Sequence, residues 1–221
     1  MRLVNSKYGL DIIFKENRTE ILILEDALIM RDVVGELWNQ YKGGEGSFLL
    51  SEGKILKIDR CMELIVNPFD LDFQSRKIVT ALLNKMTEIG NEDVVEKNRI
   101  NCELINLLNG IAGSINYPGI TYHLDFLWAD LFKMYGVKIE NQEGFLSQII
   151  EYMKVISEMC GISLLCFVNL KKYLSKTELL DLYKNKEYNK TNILLIESSE
   201  SELIDEEHIT IIDKDRCVIE R

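Results

Sequence analysis

The sequence predicts an α/β protein whose mainly parallel sheet is interrupted by an α-helical insertion. Two observations predict it. Unbroken apolar runs at Ile21–Leu24, Leu164–Val168 and Ile193–Ile196 are the pattern of strands buried on both faces, as in a parallel sheet covered by helices. Between the first run and the other two, from about Phe73 to Cys160, apolar residues recur at helical spacing instead. The expected organisation is a discontinuous head, residues 1–70 and 161–221, and a helical leg, residues 71–160.

Each element follows from local signals. Arg2–Val4 and Leu10–Phe14 flank a turn at Ser6–Gly9 and read as a hairpin. Ile21–Leu24 is closed by Glu25 and Asp26. Asp26 is placed to cap a helix from Ala27 to about Tyr41, whose apolar face is Ile29, Val33, Val34, Leu37, Trp38 and Tyr41. Lys42–Ser47, with three glycines, reads as a flexible loop, and Met62–Val66 as a short strand. Four helical stripes follow, beginning at Ile78, Ile100, Leu124 and Phe145, with breaks near Gly90-Asn91, Tyr117-Pro118-Gly119 and Gly136. Nearly all of their apolar residues read as packed core. After Gly161, the strand Leu164–Val168 ends at Asn169. Ser175 caps a helix over Lys176–Lys186, and the strand Asn192–Ile196 ends at Glu197. Ile209–Ile212 and Cys217–Ile219 are short strands about the turn Asp213–Arg216.

Composition excludes several classes. No apolar run approaches the ~20 residues that a bilayer requires, and the N-terminus has no long apolar stretch after its first charge, so neither a membrane partner nor a signal peptide is expected. Five scattered cysteines without a C-x-x-C pair argue against zinc and a disulfide framework, which makes a reducing cytoplasm the expected home. The formal net charge of −10 repels nucleic acid at long range. A local basic patch still acts at contact distance, because the Debye length is only ~8 Å at physiological salt.

Catalytic signals are sparse. Ile21–Asp26 resembles the strand that presents acids to Mg²⁺ in P-loop nucleotidases, so the head is expected to be P-loop-NTPase-like. The phosphate loop G-x-x-x-x-G-K-[ST] is nevertheless absent, and Gly43, Gly44 and Gly46 follow a helix rather than a strand. Hydrolysis is not expected, and Asp26 reads as a helix cap. His123 and His208 are the only imidazoles, and neither lies in a nucleophilic signature. His208, beside Asp205–Glu207, reads as solvated; His123 reads equally as a packed residue at a helix start. Lys171, Lys172, Lys176, Lys184, Lys186 and Lys190 either bind phosphate or form a solvated helix face, and the solvated face is the commoner case. The acids from Glu197 to Glu207 read as a solvated loop.

Three stretches, in this order and spacing, carry a resemblance: Ile21–Asp26 followed by a helix, Leu131–Glu140, and Leu164–Asn169 with Tyr173–Glu178 opening the next helix. Together they resemble the small adaptation protein of type II-A CRISPR systems, over nearly the whole chain. The resemblance implies an α/β head without a phosphate loop, a helical leg and no catalytic activity. It implies a homotetrameric ring that takes double-stranded DNA ends through a positively lined hole, with calcium stabilising the ring. It also implies spacer acquisition alongside the CRISPR integrase proteins and the RNA-guided effector nuclease. Lys133 and Lys138 match basic positions of that pattern, and Lys171 and Lys172 are further candidates for DNA phosphate. The family's acidic cluster for calcium corresponds here to Asp125, with Asp130 further on. A second reading stays open: a degenerate nucleotide- or partner-binding protein that does not clamp DNA.

Overall fold

The computed structural model describes residues 1–115, 117 and 119–221, so the break at Tyr117-Pro118-Gly119 lies partly outside the described residues. The chain divides into two compact units. One is Met1–Asp72 with Asn141–Arg221; the other is Phe73–Glu140.

In the first unit, β1 (Arg2–Asn5) and β2 (Leu10–Ile13) form the expected hairpin, and β3 (Thr19–Leu24) is the first buried strand. The helix α1 (Ala27–Tyr41) begins where Asp26 accepts the backbone N–H groups of Leu28 and Ile29, which satisfies two otherwise orphaned donors. The glycine-rich segment after α1 is not a free loop. Glu36 accepts the Ser47 N–H at 2.6 Å, and Asn39 donates to the Glu45 carbonyl at 2.6 Å. Gln40 pairs with Phe48 through both backbone groups at 3.0 Å, as a neighbouring strand would. The segment thereby delivers β4 (Leu49–Glu52) and β5 (Lys54–Leu56), which add to the hairpin as an antiparallel sheet of order β2-β1-β4-β5. Sequence patterning did not foresee these two strands, because they are short and only half apolar.

A short helix α2 (Ile58–Cys61) leads into β6 (Met62–Ile65). After the second unit come α6 (Phe145–Cys160), β7 (Leu164–Val168), α7 (Lys176–Tyr188), β8 (Asn192–Glu197), β9 (Glu207–Ile212) and β10 (Val218–Glu220). The larger sheet has the order β10-β9-β3-β8-β7-β6; β9 through β6 are mutually parallel and only β10 is antiparallel. Alternate residues of its strands, among them Leu22, Leu24, Cys166, Leu194 and Ile196, join Val33 and Leu37 of α1 and Leu3, Leu10 and Leu50 of the small sheet in one core. The intervening residues, such as Ile21, Phe167 and Leu195, are buried outside that cluster, as are Ile149, Met153 and Ile156 of α6 and Leu182 of α7. Helix α6 therefore belongs to the head. This moves the expected boundary at residues 160–161 to 140–141, because an apolar stripe states that a face is buried and not which body buries it.

The second unit contains α3 (Arg76–Glu92), α4 (Val94–Gly113) and α5 (Trp128–Met134). Ser75 and Asp93 cap α3 and α4 with their side chains. The small core is built on Phe73, Ile78 and Leu83. Trp128 stacks on Phe132, with centroids 5.6 Å apart, and meets Phe126 edge-on at 4.9 Å. The indole lies against α3 at Gly90, where a Cβ would stand 2.9 Å from Cε2. Among the described residues no helix is long and apolar enough to cross a membrane.

Gly90→Ala is therefore expected to lower stability by ~1–3 kcal/mol through overpacking against the rigid indole. Gly110→Ala, which meets nothing within 4 Å in α4, is expected to raise it by up to ~1 kcal/mol through helix propensity alone. Paired thermal melts check the contrast. Equal shifts of the same sign would show that Trp128 does not pack at Gly90.

Candidate nucleic-acid interface

Two of the candidate lysines bracket the end of α5. The helix stops at Tyr135 and Gly136, whose φ of 63° is a left-handed conformation that glycine adopts freely. This reversal carries the chain from Lys133 to Lys138, and both side chains are exposed. Lys133 Nζ lies 3.4 Å from Asp130 Oδ1 in a solvent-exposed pair. Such a pair contributes at most ~1 kcal/mol, so it yields readily to a phosphate. Lys138 has no ion pair within 4.0 Å among the described residues.

The two candidate calcium ligands lie nearby but are engaged with lysines. Asp125 Oδ2 is 3.3 Å from Lys97 Nζ, and Asp130 faces Lys133. Calcium takes six to eight oxygens, several of them carboxylate. Among the described residues no group of three or more His, Cys, Asp or Glu side chains converges as a metal site. Asp125 and Asp130 alone do not fit the ion.

The same region contains the main departure from the expected packing. Helix α4 buries none of its residues, although its stripe reads as core in the sequence. Leu104, Leu107 and Leu108 face a groove of about 860 Å³ together with Leu124, Leu127 and Met134. Leu107, Leu124, Leu127 and Met134 are each 60% or more exposed. Asn101 Nδ2 donates to the Leu124 carbonyl at 2.8 Å, and the Tyr122 hydroxyl donates to Asn109, so hydrogen bonds hold the segment before α5 beside α4. The exposed His123 also lines this groove.

In the head, the structure separates Lys171 from Lys172. Strand β7 ends at Asn169, whose φ of 56° turns the chain into a 3-10 turn over Leu170–Lys172. Asn169 N–H donates to the Ile196 carbonyl at 2.8 Å, and its Oδ1 accepts from Ser198 N–H at 3.1 Å. The Lys171 side chain is only 3% exposed; its ammonium donates to both oxygens of Glu207 at 2.7 and 2.8 Å. The Tyr183 hydroxyl donates to the same carboxylate at 2.6 Å, and burial beside that negative charge pushes its pKa up. Lys171 is therefore an internal anchor with no ammonium face free for DNA. Lys172 remains exposed, with Nζ 2.5 Å from Ser198 Oγ.

Other residues also depart from their sequence reading. Glu197 is buried and the Glu207 side chain is inaccessible, so the acidic run is not uniformly solvated. His208 Nδ1 lies 2.8 Å from Glu20 Oε2, and Arg18 Nε lies 2.6 Å from Glu20 Oε1, which is how strand β3 tolerates a buried acid. Lys186 is buried too; its ammonium donates to the carbonyls of Glu16 and Arg18, and burial lowers its pKa. The signal available in the sequence was positional: Glu197, Glu207 and Glu20 all sit at or next to ends of buried strands.

A family model described as CRISPR-associated protein (Cas_Csn2) matches residues 40–216 of this 221-residue chain.

Breaking the buried pair from one side is expected to cost ~3–5 kcal/mol, because it strands a charge away from water. Lys171→Met and Glu207→Gln should each shift the urea midpoint strongly, whereas Lys172→Ala should leave it nearly in place. A midpoint unchanged in Lys171→Met would show that Lys171 is not an anchor.

Proposed function

Because this chain belongs to the Cas_Csn2 family of CRISPR-associated proteins, we propose that it binds ends of double-stranded DNA as a homotetrameric ring, without sequence preference and without catalysis, in support of spacer acquisition. The observation that supports the assembly is the apolar face of α4, which buries no residue among the described residues. A groove lined by Leu104, Leu107, Leu124 and Leu127 is the kind of surface that a soluble protein covers by association. Another copy of the chain is the occupant in this reading. The CRISPR integrase proteins and the RNA-guided effector nuclease are its further partners.

Four copies together carry a formal charge of −40, four times the −10 of one chain, so the assembly as a whole repels DNA. Binding then requires exposed lysines repeated by symmetry on one concave lining, acting within a Debye length. Lys133 and Lys138 suit that role, because their ammonium groups are exposed and held by at most a surface pair. Phosphate contacts carry no base information, which accounts for the absence of sequence preference. The absence of a phosphate loop from the sequence supports a role other than nucleotide hydrolysis.

Gel filtration with and without linear duplex should give a species near four times 25.6 kDa that carries the DNA. A monomer at micromolar concentration would overturn the ring. Lys133→Ala with Lys138→Ala should weaken duplex binding and flatten log K against log salt by ~0.9 for each phosphate contact removed. Unchanged affinity and slope in a folded variant would remove these lysines from the DNA path.

A further inference from the structure

Three aromatic rings meet at the surface of the head, in a place that the duplex reading does not use. Phe69 stacks on Phe145, with centroids 4.6 Å apart, and meets Tyr173 edge-to-face at 5.0 Å. The rings come from three segments of one unit: the turn after β6, the first residue of α6 and the end of the 3-10 turn after β7. Phe69 is 62% exposed and Tyr173 49%. Single exposed apolar side chains are normal on a protein surface, but rings in mutual contact make a patch.

The patch is built in advance of any partner. Phe69 sits in the turn Asn67-Pro68-Phe69-Asp70, where the Asp70 N–H donates to the Asn67 carbonyl at 3.2 Å. Asn67 Oδ1 accepts the Phe69 N–H at 3.2 Å, and Pro68 is buried. Proline fixes its own φ, so the turn presents Phe69 at little further cost in chain entropy. With one face stacked on Phe145, the exposed ring keeps its other face toward solvent.

Charge decides what fits that face. Asp70 follows Phe69, and Glu143 lies two residues before Phe145. Both are exposed, and neither carboxylate has an ion pair or hydrogen bond among the described residues. The neighbouring base, Lys172 beside Tyr173, has its ammonium on Ser198 Oγ. Unpaired acids repel DNA phosphate and anionic lipid. A second copy docked across a two-fold axis would set the same acids against one another. A guanidinium suits both parts of the patch, because it stacks on an aromatic face and donates as a fork to a carboxylate. A lysine ammonium, more strongly hydrated, gains less from the ring.

We propose that Phe69, Phe145 and Tyr173 form a docking surface for an arginine-bearing segment of a protein partner, with the guanidinium on the open face of Phe69 and the carboxylates of Asp70 and Glu143 beside it. Duplex binding is not required for this contact.

The test uses two labelled probes of equal charge, nona-arginine and nona-lysine peptides, and reads the ratio of their affinities by fluorescence anisotropy. An acidic chain attracts both peptides, so the ratio is what reports on the rings. The intact protein should prefer arginine by roughly 3–10-fold. Phe69→Leu keeps the apolar bulk and removes the ring; it should bring the ratio close to one and leave the nona-lysine affinity nearly in place. Asp70→Asn with Glu143→Gln should weaken both peptides. A ratio near one in the intact protein, or an undiminished ratio in Phe69→Leu, overturns the proposal. A smaller species on gel filtration of Phe69→Leu also overturns it, because the rings would then join copies of this chain. A measurement on the intact protein stands even where the variant does not fold: the NMR signals of the Phe69 ring should move farther with nona-arginine than with nona-lysine. Equal movement, or none, overturns the proposal.

Discussion

A parallel sheet must be covered on both faces, and the architecture of this protein follows from that requirement. Strands β3, β6, β7, β8 and β9 alternate their apolar residues between two cores, and each core needs a lid. Helix α1 and the small antiparallel sheet supply one lid. Helices α6 and α7 bury their apolar faces in the same unit, outside that first core. The requirement explains why a helix next to the insertion in sequence belongs to the head, and why the glycine-rich segment after α1 is held by Glu36, Asn39 and Gln40. That segment has to place β4 and β5 against the first core.

The edges of such a sheet accumulate polar groups that cannot all reach water. At the amino edge, Glu20 is satisfied by Arg18 and His208. From the turn after the carboxyl end of β7, Lys171 reaches Glu207 at the start of β9, and Tyr183 completes the network. Buried charge is tolerated only where partners are geometrically fixed, so these networks hold turns in one conformation. The result is a division between adjacent residues: Lys171 is buried and fixes the turn, and Lys172 stays exposed on it.

The helical unit obeys a different balance. Its core is small, resting on Phe73, Ile78 and Leu83, with the Trp128 cluster beside it. Helix α4 contributes hydrogen bonds and capping but no buried side chain. Most helical stability in proteins comes from packing, and among the described residues this twenty-residue helix leaves much of its apolar face only partly covered by the segment before α5. Met134, which follows Lys133 in α5, lines the groove at this face, so the exposed lysines and the uncovered apolar residues belong to one short segment.

The sequence by itself determined the fold class, the strands of the parallel sheet, the Asp26 and Ser175 caps and the helical nature of the insertion. Each of these depends on periodicity or on a contact within four residues. The family resemblance, rather than any local pattern, singled out Lys133 and Lys138 beside the break at Gly136, and the structure shows both exposed. Only the tertiary structure decided that α6 serves the head, that among the described residues α4 buries none of its stripe, and that Lys171, Lys186, Glu197 and the side chain of Glu207 are buried. The physical reason is that a charged side chain reads the same in sequence whether it faces water or a partner from a distant strand. Lys171 and Glu207 are thirty-six residues apart, and no local pattern records their meeting.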